Sequence, residues 1–150
     1  VISLSFEYEE ITARSFMKAI PPISKFMSTN PFSVDKNSSL LKAAELMKKN
    51  HIRHLPVLYE GKCEGILSST DVNLIRTING VDIEKMLVRD CFTPNAYAVA
   101  PETLLDHVMD EMAEHKYGCV PVLDREKLVG IFTWVDALKA SSELLKTRLK

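Results

Sequence analysis

Two stretches of the chain carry side chains able to hold a small polar molecule: Gly65-Ile66-Leu67-Ser68-Ser69-Thr70-Asp71 and Gly130-Ile131-Phe132-Thr133-Trp134-Val135-Asp136. Each closes an apolar run with a hydroxyl and sets a carboxylate three residues further on. At the start of a helix that spacing places both groups on one side, about one turn apart. A helix N-terminus offers unpaired N–H groups and the positive end of a dipole, which suits a phosphate. A carboxylate there can accept hydrogen bonds from two neighbouring sugar hydroxyls. The same pattern also describes an ordinary helix cap, in which hydroxyl and carboxylate serve only the backbone.

Arg53 and His54 lead into an apolar run, and an arginine offers a fixed fork of donors to phosphate oxygens. The alternative is an exposed strand edge on which His51, Arg53 and His54 are merely solvated. His51-x-x-His54 has the spacing of a metal pair but no third ligand near it in sequence, so no metal site is expected. His107 and His115 stand among Asp106, Asp110 and Glu114 and read as a solvated helix face. Cys119 begins an apolar strand and reads as a small core residue. With no P-loop, G-x-S-x-G or HExxH, the chain is expected not to be an enzyme.

The elements that position these residues emerge from an internal repeat. Shifting the sequence by 65 positions aligns Asn30–Asp71 with Asn95–Asp136 without gaps and gives 11 identities in 42 positions, where chance at roughly one in seventeen gives about two or three. Each copy has the same order of signals. Phe32 and Val34, or Tyr97 and Val99, alternate as a short strand. A helix follows with Leu40, Ala43, Ala44 and Met47, or Leu105, Val108, Met109 and Met112, at i, i+3, i+4, i+7. Ser38 and Ser39 are candidate caps in the first copy, and Thr103 with Asp106 resembles a capping box in the second. Two apolar strands joined by a polar turn come next, then a helix from near Ser68 or Thr133.

The expected fold is therefore α+β: two pseudosymmetric β-α-β-β-α units packed face to face through their sheets, because one such unit leaves a sheet face uncovered. The expected division is an N-terminal extension at 1–23, a first unit at 24–79, a connector at 80–87, a second unit at 88–140 and a helical tail at 141–150. Ile2, Leu4, Phe6 and Tyr8 alternate as a strand would, Glu9 to Ile20 reads equally as a helix, and Phe16 belongs to the same apolar set.

A hydrophobic content of 46% and a charged content of 26% are those of a globular protein. A net charge of −1 supplies no general field for nucleic acid or an anionic membrane, so neither partner is expected. No apolar run reaches the ~18 residues of a membrane span. Three cysteines outside any CxxC, and no cationic leader, make a reducing cytoplasmic setting the expectation.

In the order, spacing and duplication of Phe26-Met27-Ser28-Thr29-Asn30-Pro31, Arg53-His54-Leu55-Pro56-Val57 and Gly65–Asp71, matched by Cys91–Asn95, Cys119–Val122 and Gly130–Asp136, the chain resembles a tandem pair of cystathionine-β-synthase (CBS) domains, a Bateman module. The resemblance covers about residues 24–140. It implies a non-catalytic sensor that binds an adenine nucleotide or adenosyl ligand between the repeats and modulates a partner; a constitutive dimerisation scaffold with vestigial sites is the alternative. It implies Asp71 and Asp136 on ribose, Ser68 and Thr133 near phosphate, and Ser28 and Thr93 beside the adenine. Arg53 and His54 are implied as phosphate contacts, as in the similar regulatory subunit of the AMP-activated kinase. Ile66, Val57, Ile131 and Val122 would wall the base. The second copy has Gly118 and Cys119 where the first has Arg53 and His54, so unequal sites are expected. AMP, ADP or ATP is the expected ligand, ahead of S-adenosylmethionine or NAD, with no obligatory cofactor. A homodimer and a separate regulated protein complete the expectation.

Overall fold

The structure is a computed structural model that describes residues 19–148, so the expectations placed on Ile2, Leu4, Phe6, Tyr8 and Phe16 lie outside the described residues. The first repeat contains β1 (Ser28–Thr29), β2 (Val34–Asp35), α1 (Leu40–Lys49), β3 (His54–Tyr59), β4 (Lys62–Ser68) and α2 (Ser69–Arg76). The second contains β5 (Thr93–Pro94), α3 (Leu105–His115), β6 (Cys119–Asp124), β7 (Lys127–Thr133) and α4 (Trp134–Arg148). The sequence offset carries over: β3, β4 and β1 map residue for residue onto β6, β7 and β5. The expected second-copy strand at Val99 is reduced to a single parallel bridge to Val122, the counterpart of the Val34–Val57 pairing.

Local chemistry explains the helices. In α1, Leu40, Ala43 and Met47 form the buried stripe, Ser39 Oγ accepts the Lys42 N–H at 3.1 Å, and Lys48 and Lys49 sit at the negative end of the dipole. The expected Thr103–Asp106 box is not formed. Leu104 is the N-cap of α3 and Asp106 turns to the N–H of His107 at 2.8 Å. The backbone around this helix start is held by the incoming chain instead: Leu105 donates to Pro21 O at 2.9 Å, and Ile23 donates to Thr103 O at 2.7 Å. The first of these bonds satisfies the Leu105 N–H, one of the donors a helix start leaves unpaired.

The strands form a four-stranded sheet, β2-β3-β4-β5, and a three-stranded sheet, β1-β7-β6. Each sheet thus contains a strand lent by the other repeat. β1 pairs antiparallel with β7 (Ser28 opposite Ile131), and β5 with β4 (Thr93 opposite Ile66). The exchange extends to the core: Ile23 is fully buried in the second repeat's cluster, while Val88, its equivalent, is fully buried in the first. Two glycines make room for the lent strands. A Cβ on Gly65 would fall onto the carbonyl oxygen of Thr93, and one on Gly130 would meet Met27 Sδ at 2.5 Å.

Strand alternation sorts the side chains into two faces. Leu55, Leu67, Val120 and Phe132 point to the helices and are fully buried. Pro56 with Ile66, and Pro121 with Ile131, form cross-strand pairs on the opposite face. There Ile66, Cys119 and Ile131 make a small buried cluster joining the two sheets, the seam of the molecule.

Candidate functional site

The seam face of the first sheet carries His54 and Ser68 as a cross-strand pair, with Thr93 next to Ile66 on the lent strand. The second sheet carries Cys119 opposite Thr133, with Ser28 next to Ile131. The strand exchange therefore puts Thr93 with Ser68 and Asp71, and Ser28 with Thr133 and Asp136. Reading along the chain would pair them the other way.

Both hydroxyl–carboxylate motifs cap their helices. Ser68 Oγ accepts the Asp71 N–H at 3.1 Å, and Asp71 Oδ2 accepts the Ser68 N–H at 3.1 Å. Asp136 Oδ2 accepts the Thr133 N–H at 2.9 Å and the Thr133 hydroxyl at 3.0 Å. The two carboxylates then part company. Ser28 Oγ donates to Asp136 Oδ1 at 3.2 Å, so both oxygens of Asp136 are engaged. Asp71 Oδ1 receives no donor among the described residues. Capping fixes the position of each carboxylate; Asp71 keeps one oxygen without a donor among the described residues, whereas Asp136 Oδ1 already carries one.

His54 and Arg53 are sent to opposite sides. His54 lies at the seam, where a methyl group on Gly118 would sit 3.0 Å from its Nε2. Burial holds its pKa below the usual imidazole value of 6.5; nearby Asp71 opposes that shift and Arg53 reinforces it. Arg53 is exposed and lines the outer groove between α1 and α2 with Ser69, while its carbonyl accepts the Ser69 N–H at 2.8 Å. Of the four residues expected to wall a base, Ile66 and Ile131 face the seam. Val57 and Val122 do not: both are fully buried beneath the helices, because they stand one residue out of phase with Pro56 and Pro121.

Gly118 was legible only as a missing cation, whereas in space it provides the room His54 occupies. No sequence signal marks this contact, which joins different repeats. The three thiols are all pushed up by burial, Cys91 also by Asp71 and Asp90, so none is poised as a nucleophile. Glu111, Glu114 and His115 approach within 4.8 Å on the outer face of α3, where His115 pairs with Glu111 at 3.4 Å. Among the described residues no helix is long and apolar enough to cross a membrane.

Comparison with known proteins agrees with this architecture. The sequence profile of the CBS domain matches residues 23–74 and 88–143. An L-aspartate semialdehyde sulfurtransferase of Methanocaldococcus jannaschii is 33% identical over 116 residues, 76% of this chain; the chain spans only 22% of that enzyme's length. The CBS domain pair of protein MJ0100, solved with 5-methylthioadenosine and S-adenosyl-L-methionine, superposes with a TM-score of 0.75 at 28% identity, over 83% of this chain and 98% of that one. CBSX2 in complex with AMP superposes with a TM-score of 0.76 at 25% identity, over 83% and 98% of the two chains. A doubled unit with exchanged strands, and two profile matches in register with it, make this chain a member of the CBS domain family, built as a CBS domain pair.

Proposed function

We propose that the chain is a non-catalytic regulatory module that binds an adenine nucleotide or adenosyl ligand at the seam and thereby modulates a partner protein, with Asp71 gripping the ribose. The observation that carries this reading is the uncommitted Oδ1 of Asp71, fixed by a capping box beside the seam. His54 faces Ser68 across the same strand pair, and Thr93 lies on the adjoining lent strand. The relatives solved with AMP and with S-adenosyl-L-methionine support the ligand class. The second position, with Ser28, Thr133 and Asp136, is the weaker one, since both oxygens of its carboxylate already carry donors from within the protein. Arg53 serves this ligand only if a phosphate leaves the seam toward the outer groove. A ligand shifts such a module only as far as it prefers one packing of the halves over another. A homodimer in a cytoplasmic setting is part of the same proposal.

The test is a thermal-shift titration with AMP, ADP, ATP, S-adenosylmethionine and NAD. At least one is expected to raise the melting temperature in proportion to the logarithm of its concentration. A flat response to the whole panel favours the constitutive scaffold, and light scattering at a monomer mass would remove the dimer.

A further inference from the structure

On the outer side of the second repeat, α3 and α4 enclose an apolar groove of about 190 Å³, lined by Met109 and Met112 from α3 and by Trp134 and Leu138 from α4. The apolar surface continues along α4, where Trp134, Leu138 and Leu145 share one helix face and are 60%, 67% and 58% exposed. The fold does not demand an apolar lining, because the equivalent groove between α1 and α2 is walled by Lys48, Arg53 and Arg76. A contiguous apolar patch of this kind marks a place where something docks.

The chain itself arrives at one end of this groove. Arg148, the last residue of α4, donates from Nη2 to Ala19 O at 2.9 Å, and Leu105, the first residue of α3, donates to Pro21 O at 2.9 Å. The start of α3 and the end of α4 therefore meet where residues 1–18 join the described structure. The sequence of that segment fits the groove. Ala13, Phe16, Met17 and Ile20 stand at i, i+3, i+4, i+7, an apolar helix stripe that stops at Pro21-Pro22. As a helix, residues 9–18 would be about 15 Å long, enough to run from Arg148 back to about Leu138.

The repeat supplies the register. In the first repeat the equivalent lead-in is held by Leu40, which donates to Met86 O at 2.8 Å, and by Leu41, which donates to Ile83 O at 3.1 Å. Ile83 and Met86 pack against the first core. The offset of 65 turns Leu40 and Met86 into Leu105 and Pro21, whose bond is present, and Leu41 and Ile83 into Asp106 and Lys18. Asp106 and Asp110 are exposed, one turn apart on α3, and in no ion pair among the described residues. Lys18 and Arg14 have the same spacing and the opposite sign.

We propose that the α3–α4 groove is the docking site of the chain's own residues 1–18, seated with residues 9–18 helical, their apolar stripe on the groove, Lys18 at Asp106 and Arg14 at Asp110. A segment tethered at Ala19 acts at an effective concentration on the order of millimolar, which favours it over a second copy of the chain. The docking does not depend on a seam ligand.

Trp134 is the chain's single tryptophan and reports on the groove directly. In the intact chain it is expected to be shielded from acrylamide, and Phe16→Asp/Met17→Asp to raise its quenching constant at least twofold with cooperative unfolding retained. The shielding should be independent of protein concentration, because the contact is intramolecular. Asp110→Lys is expected to raise quenching as well, and Arg14→Asp added to it to restore the shielding. Equal quenching of the intact chain and the double Asp variant, shielding that grows with protein concentration as a second copy would cause, or a charge exchange that restores nothing would each overturn the proposal.

Discussion

The two repeats are near copies in backbone and poor copies in chemistry. Helix ends, turns and corners coincide: Asn30 and Asn95 adopt φ 50° and 51°, His51 and Lys116 52° and 58°, Glu60 and Arg125 49° and 50°. The side chains that meet a solute do not coincide. The first repeat has a carboxylate with a spare oxygen, a half-buried imidazole at the seam and a cationic outer groove. The second has a carboxylate with donors on both oxygens, a thiol and an apolar groove lined by Trp134, whose indole N–H is given to Tyr117 O at 3.0 Å. Duplication preserved what the sheets and helices need and left the solvent-reachable positions free to diverge.

The largest expected effect tests the backbone side of this comparison. Gly65→Ala drives a methyl into a strand carbonyl that is held by the sheet, whereas Gly130→Ala meets the flexible end of Met27. Overpacking costs place the first near ~3 kcal/mol and the second near ~1 kcal/mol, read as urea unfolding midpoints. Equal losses would mean that the two lent strands are equally rigid. Next comes the seam. Asp71→Ala is expected to weaken AMP binding by roughly thirtyfold, the scale of a lost charged hydrogen bond, and Asp136→Ala by less than about threefold. Calorimetry ranks the two, and a larger loss at Asp136 reverses the comparison.

A smaller effect concerns pH. Above roughly pH 7 the imidazole of His54 is neutral in both the folded and the unfolded chain. Because its folded pKa lies below 6.5, the unfolded chain takes up the proton first as the pH falls. Stability contributed at neutral pH is then lost between 6.5 and the lower folded value. The Cys119 thiol at the matching position, pushed upward, does not titrate in that window. His54→Gln should flatten the fall in melting temperature between pH 7.5 and 5.5, and an unchanged slope would remove His54 from the asymmetry. The smallest expected effect is at the β6–β7 turn. Gly61 takes a φ of 78° where the second repeat forces Glu126 to 68°. Glu126→Gly relieves that strain at the expense of the exposed Lys62–Glu126 pair at 3.1 Å, a net gain of about 0.5 kcal/mol in chemical denaturation.

The elements longer than a turn were readable because each has a period: the α1 and α3 stripes, the paired Pro-Val strands and the Ser39 cap all stand where their spacing put them. The two-residue strands β1 and β5 have no period to read, and their partners lie about 100 and about 30 residues away, so the exchange was invisible. That exchange governs the candidate site, since it decides that Ser28 joins Asp136 and Thr93 joins Asp71. The divergence of Arg53 and His54 was legible in principle, because adjacent residues leading into a strand face opposite ways. The resemblance implies one pocket for both.

The mutual lending of Ile23–Thr29 and Val88–Pro94 also bears on how such a molecule could have begun. A solitary unit would have exposed a bare glycine-flanked edge and an unfilled hole where its neighbour's isoleucine or valine now sits. A single copy would cover that edge and fill that hole only by trading its leading segment with a twin molecule. With both copies in one chain that trade is internal and independent of concentration, and each copy supplies the segment that completes the other.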